Sequence, residues 1–192
     1  QGPVVVIDAG HQNKENIRKE PAGPESSRMS QKMEAGAVGS FLGVRECDVT
    51  LAIAEKTKQV LTERGYQVIM TRESNDVNMS WAERARLAEK SGAGALIHIH
   101  AHSQESTSVT GVLASCQSSG NPYNGDLASE SYALSSCIAG SVSQAAGAKN
   151  RGVKQTDTSS EINWSQVPVT SLETGFLSNQ QEELLLSQEE YQ

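Results

Sequence analysis

Val4-Val5-Val6-Ile7 is an unbroken β-branched run that ends in Asp8-Ala9-Gly10. A strand with one wet face alternates apolar and polar residues, so an unbroken run marks a strand covered on both faces, as in a parallel sheet between helices. The rest of the chain repeats the theme. Asp48 or Thr50 can cap a helix through Arg64, with Leu51, Ala54, Val60 and Leu61 on one face and Gly65 at its stop. Tyr66 to Thr71 reads as a second strand, and Ser80-Trp81-Ala82-Glu83 spells a capping box that opens a helix ending near Gly92. Ala95 to His100 reads as the third strand, Gly111 to Ser115 as the fourth, and Asp126 to Ala146 as a long Ala/Ser-rich helix stopped by Gly147. Gly152 to Thr156 is a short strand placed at an edge, Val167 to Thr174 is the last strand, and Ser178 or Asn179 caps a short acidic helix, Gln180 to Leu186. The expectation is one α/β domain over residues 4–192, a largely parallel twisted sheet of about six strands with helices on both faces. A chain of 192 residues suits a single domain of that kind.

Two stretches stand outside this pattern. Residues 12–45 show no sustained period and contain Pro21, Pro24 and four glycines, which predicts a mobile flap beside the functional site. Gln1-Gly2-Pro3 resembles the remnant of an engineered protease cleavage site and is set apart from fold reasoning. Three cysteines, Cys47, Cys116 and Cys137, are too few for a disulfide framework, with a single Cys116–Cys137 bridge left open.

Charge narrows the partners. Sixteen Lys and Arg against 23 Asp and Glu give a net charge of −7 with no basic run, which argues against nucleic acid, whose binding rests on neutralising phosphates. Aromatic residues at 4% supply no base-stacking surface. No stretch approaches the roughly 18 consecutive apolar residues of a membrane span, so no membrane insertion is expected.

Ligands of open α/β sheets bind beyond the carboxyl ends of the strands. Four residues of suitable chemistry stand there: His11 after the first strand, Glu46 just before the first long helix, His100 at the end of the third strand and Glu173 at the end of the last. Two imidazoles and a carboxylate make a catalytic zinc set when a fourth position is left to water, and a second carboxylate nearby can take the proton. Each residue has a plainer reading as a hydrogen-bonding loop residue or a dipole-favoured helix start. The run Ile97-His98-Ile99-His100-Ala101-His102 is more demanding, because strand alternation puts all three imidazoles on one face, where they need partners. Alternation alone does not choose the ligand among them. The residues point to a zinc hydrolase, a class in which a carboxypeptidase or sugar deacetylase uses the same set with a different leaving group; the rival from another class is a protein that keeps the fold without turnover.

Five segments, in order, resemble the motifs of zinc-dependent N-acetylmuramoyl-L-alanine amidases of the Amidase_3 type. They are Val5 to His11, Glu46 to Ala54, Val68 to Arg72, Ile99-His100-Ala101 and Leu172 to Asn179. The resemblance implies one zinc on His11, Glu46 and His100, with Glu173 as the catalytic glutamate, and hydrolysis of the bond between the muramic acid lactyl group and L-alanine of peptidoglycan. It implies a secreted, extracellular protein of the cell wall, an autolysin, here expected to be a monomer. Arg72 and Arg84 fall on arginine positions of the family, where either holds a substrate carboxylate or pairs with an acidic neighbour.

Three departures qualify the resemblance. Relatives usually carry a small polar residue where His98 stands and asparagine where His102 stands, so these imidazoles are expected to orient a ligand or contact substrate rather than hold a second metal. Residues 12–45 have no clear match, and their Gly/Pro/Ser content opposes an inserted blocking helix, which predicts an open site. The family usually continues into a C-terminal helix after Tyr191, so a shortened piece is expected. A charge of −7 opposes adhesion to anionic wall polymers, so strong attachment is expected from wall-binding domains outside these residues.

Overall fold

The computed structural model describes residues 2–192; Gln1, the first residue of the expected cleavage remnant, lies outside the described residues. Strand β1 (Val4–Ala9) is buried almost throughout, as its unbroken apolar run requires. The stretch after it is more ordered than its sequence indicates. Residues 12–45 hold an antiparallel hairpin, β2 (Asn16–Pro21) against β3 (Met29–Met33), which corrects the expectation of a segment without regular structure. Both strands are mostly polar and bury only Glu20 and Met33, so they lack the one-sided alternation that marks a strand on a core.

Helix α1 (Glu46–Glu63) starts ahead of the expected caps Asp48 and Thr50. Arg45 is the capping position but offers no side-chain acceptor. The loop backbone serves instead, the Ala37 carbonyl accepting the Glu46 amide at 2.8 Å. Strand β4 (Gln67–Met70) follows, then α2 (Trp81–Lys90), whose capping box forms as read: the Ser80 hydroxyl accepts the Glu83 amide and the Glu83 carboxylate accepts the Ser80 amide at 2.8 Å. Ser80→Ala is expected to cost about 1 kcal/mol, lowering the melting temperature by about 2–4 °C in a chain of this size. Thermal unfolding followed by circular dichroism checks this.

Strand β5 (Ala95–His102) runs two residues beyond its expected end, to His102. Next come β6 (Val112–Cys116), α3 (Ala128–Ala146) stopped by Gly147 at φ +61°, and β7 (Asn150–Gln155). A short α4 (Ser160–Asn163), unforeseen in the sequence, precedes β8 (Val169–Phe176). Helix α5 (Gln180–Leu186) closes the chain, with the Asn179 side chain accepting the amides of Gln181 and Glu182.

The main sheet has the order β4-β1-β5-β8-β6-β7, six strands with β7 at an edge. Strands β4, β1, β5 and β8 run parallel; β6 is antiparallel to β8 and carries the parallel β7 with it. Helices cover both faces. Ile7, Ala9 and Ile99 pack against Leu51, Ala54 and Leu61 of α1, and Val112, Ala114 and Leu172 against Ile138, Ala139 and Val142 of α3. The opposite face buries Val6, Leu96 and Val169 against Ala85 and Ala88 of α2 and Ile162 of α4. All three cysteines are free, with Cys116 buried and Cys137 exposed, so the bridge left open does not form. Among the described residues, no helix is long and apolar enough to cross a membrane.

Candidate active site

Pleating decides which face carries the chemistry. Leu96 belongs to the α2 side, so His98, His100 and His102 point to that side too, and Ile97 and Ile99 point to α1. In register, His98 lies beside Asp8 of β1, and His100 beside Glu173 of β8. Helix α1 packs on the far face, but its first residue, Glu46, reaches over the carboxyl edge to meet them.

His11, Glu46 and His100 converge, their candidate donor atoms all within 4.8 Å of one another. His11 Nε2 lies 3.3 Å from Glu46 Oε2, and His100 Nδ1 lies 3.0 Å from Glu46 Oε1. The other His11 nitrogen, Nδ1, donates to the Glu34 carbonyl at 3.0 Å, which leaves Nε2 as the nitrogen that faces the cluster. Glu46 is almost fully buried and also accepts the amides of Ala37 at 2.7 Å and Ala101 at 3.1 Å. Burial pushes its carboxyl up, but hydrogen bonds and charge from His100 and His11 win and hold it well below the usual range.

His11 sits at φ +61°, a left-handed conformation uncommon outside glycine. Neighbouring bonds hold it there. Arg84 donates to the carbonyls of Ala9 at 2.9 Å and His11 at 2.9 Å, and Arg72 to those of Ala9 at 2.7 Å and Gly10 at 3.0 Å. Both arginines are buried, 2% and 0% exposed, so they brace the turn from beneath rather than face the cleft. Gly10 admits no side chain, since a Cβ there would lie 2.5 Å from His100 Cε1 and 2.6 Å from the Ile99 carbonyl oxygen.

Glu173 stands on the other side of His100 and accepts the His102 amide at 3.0 Å. Burial, opposed by His100 but reinforced by Glu46 and Glu161, pushes its carboxyl up to about 8. His102 itself lies at the mouth of the cleft. His98 is fully buried behind the site, with Nδ1 donating to Asp8 Oδ2 at 2.7 Å and Nε2 buried without a hydrogen-bond partner. Among the described residues, the donor cluster does not include it.

Glu161 of α4 went unread in the sequence. Its Oε2 lies 2.9 Å from His100 Nε2. Burial raises its pKa, but the His100 charge beside it dominates and brings the carboxyl to about 2. Trp81, noted only as a helix start, donates from Nε1 to Glu34 Oε2 at 2.6 Å and sets its ring 6.0 Å from that of His11. Neither residue carries a periodic or spacing signal; each is brought in from a distant segment. The cleft, of about 580 Å³, is lined by these groups together with Arg28, Ser30, Ser103 and Thr158.

An α/β sheet that gathers two imidazoles and several carboxylates beyond its carboxyl edge defines a class, the hydrolases that work by polar and acid–base chemistry at such a centre. Within that class the chain belongs to the Amidase_3 family, N-acetylmuramoyl-L-alanine amidase, whose model matches residues 5–192. It is 32% identical over 193 residues to the uncharacterized protein YqiI of Bacillus subtilis, covering 100% of this chain and 79% of that one. It is 30% identical over 159 residues to the N-acetylmuramoyl-L-alanine amidase LytC of the same organism, covering 82% of this chain and 30% of LytC. The catalytic domain of the amidase CwlV from Bacillus (Paenibacillus) polymyxa superposes with a TM-score of 0.72 at 26% identity, covering 98% of this chain and 89% of that one. The chain is accordingly an N-acetylmuramoyl-L-alanine amidase acting on cell-wall peptidoglycan.

Proposed function

We propose that His11, Glu46 and His100 hold a single zinc ion and that Glu173 moves the proton during amide hydrolysis. The observation that carries this is the convergence of one nitrogen from each imidazole on the two oxygens of Glu46, at 3.3 and 3.0 Å. Two neutral imidazoles and one carboxylate, drawn from separate segments with space left on one side, match the donors of a catalytic zinc site. Zinc there would supply a Lewis acid, polarising the lactyl carbonyl and making water acidic near neutral pH.

The protein's own groups do the rest. Glu173 accepts a proton from the attacking water as the new C–O bond forms, then delivers it to the departing amine of L-alanine as the C–N bond breaks. Trp81 walls the cleft beside His11, and Glu46 offsets charge at the donor cluster. The same reading has the protein secreted and working at the wall as a monomeric autolysin, with Arg72, Arg84 and His98 supporting the donors and His102 at the substrate side.

Digestion of purified peptidoglycan, read by mass spectrometry, tests this. Stem peptides with a new amino-terminal L-alanine are expected, release stopping on chelation and returning with zinc. His100→Ala should lose both activity and stoichiometric zinc. Undiminished release from metal-free protein, or new reducing sugar ends in place of free peptides, would overturn the proposal.

A further inference from the structure

His100 is unusual among the clustered groups in having a carboxylate opposite each ring nitrogen. Nδ1 faces Glu46 at 3.0 Å, and Nε2 faces Glu161 at 2.9 Å. A neutral imidazole carries one N–H, and only the bare nitrogen can bind a cation. Nδ1 is the nitrogen directed into the His11–Glu46 cluster, so with a cation bound there the remaining ring hydrogen sits on Nε2, facing Glu161. Glu161 is not among the clustered donors, which places it outside the ligand set.

The segment bearing Glu161 is built to hold it still. Ile162 and Asn163 are fully buried. Asn163 Nδ2 donates to the Ala22 carbonyl at 3.1 Å, Trp164 Nε1 to the Pro21 carbonyl at 2.8 Å, and the Ser160 hydroxyl to Ser30 Oγ at 2.7 Å. On the other side, Asn124 Nδ2 donates to the Ile162 carbonyl at 2.8 Å. The hairpin β2–β3 and the loop before α3 thus clamp α4 from two directions. With Ile162 also seated in the core beside Val6, Leu96 and Val169, the helix is held at a fixed distance from His100.

We propose that Glu161 is a positioning residue for the metal site: it accepts the Nε2 hydrogen of His100, fixes the ring's orientation and tautomer, and so keeps Nδ1 bare toward the ion. Carboxylates that take the second nitrogen of a ligating histidine commonly set metal affinity and ligand basicity, and losing one weakens binding by about 10–100-fold. The inference rests on the metal reading above and adds to it a role for a residue outside the ligand set.

The test measures zinc affinity by chelator competition, and the visible spectrum after cobalt substitution, for the parent, Glu161→Gln and Glu161→Ala. Glu161→Ala is expected to bind zinc about 10–100-fold more weakly. Glu161→Gln, whose side-chain oxygen still accepts the hydrogen bond without charge, should fall between it and the parent. The cobalt bands should shift in both, while the metal-free proteins melt close to the parent. If the parent binds one zinc and both variants match it within about twofold with unchanged cobalt spectra, the role of Glu161 is overturned and the metal reading stands. A parent that binds no zinc overturns both. Should Glu161→Ala fail to fold, the Gln variant decides alone.

Discussion

Glu173→Gln is expected to lose about 10²–10⁴-fold in turnover of peptidoglycan while keeping its zinc. The amide fills the same space and still accepts the His102 amide, so β8 and its register with β5 survive the change. What disappears is the ability to take and return a proton. The pH profile carries a second signature. In the site as it stands, burial has pushed this carboxyl up to about 8 against its usual 4.5. A general base must be ionised to act, so kcat/KM should rise with pH through the Glu173 ionisation, and a bound dication should bring that ionisation below 8 by favouring the anion. The acidic limb should vanish in Glu173→Gln. Undiminished activity at full zinc occupancy would remove Glu173 from the proton path.

Arg84→Met should produce the largest loss of stability of any single change near the site. Arg84 and Asp8 are both fully buried and meet at 2.6 Å, and the same guanidinium also serves the carbonyls of Ala9 and His11 and the side chain of Gln12. Methionine keeps much of the volume but leaves Asp8 with only His98 and Thr71. Breaking a buried pair from one side typically costs about 3–5 kcal/mol, a fall in melting temperature on the order of 10 °C for a chain of this size. The pH dependence should change as well. Burial alone would raise the Asp8 pKa, but Arg84 and His98 hold it well below the usual 3.8. A depressed carboxyl stabilises the fold above its unfolded pKa, and that contribution fades as pH falls toward its folded value. The parent should therefore lose this stability only in acid, whereas Arg84→Met should lack it at neutral pH too. Arg84→Lys should fall between, keeping the charge but not the fork that reaches several acceptors. A melting temperature unchanged in Arg84→Met would show that the turn is held by other groups.

Much of this arrangement is written in the chain, for a reason that also explains what is not. Strand β1 is buried between helices, so it carries an apolar run that can be read locally, and Val68 to Met70 of β4 and Ala95 to Ile97 of β5 read the same way. The Ser80–Glu83 box and the Asn179 cap are likewise local, each bond spanning no more than three residues. His11 and Glu46 stand at element ends, and His100 and Glu173 lie in the carboxyl-terminal halves of their strands, which made them candidates, but only the family resemblance singled out His100 among the three imidazoles. The hairpin and α4 are different. Their strands and turns are short and polar, and they are held by side chains from residues more than a hundred positions away, such as Asn163 on Ala22 and Ser160 on Ser30. No window along the sequence contains both partners. Glu161 was hidden for that reason. Arg72 and Arg84 were visible as residues, but their positions beneath the His11 turn depend on contacts 62 to 76 residues apart.

The hairpin has a consequence for how the protein breathes. Of its strand residues only Glu20 and Met33 are buried, while Ser30 of β3 and the flanking Arg28 and Glu34 line one side of the cleft, opposite His100 and His102 of β5 and Glu173 of β8. Regions with few buried apolar contacts open locally at a small fraction of the free energy of global unfolding. Amide hydrogens of Ile17 to Lys19 should therefore exchange with solvent long before those of Leu96 to Ala101. Opening is expected to stay at Ile17 to Lys19, because Pro21, Ala22 and Ser30 of the same hairpin are tied to Trp164, Asn163 and Ser160 around α4.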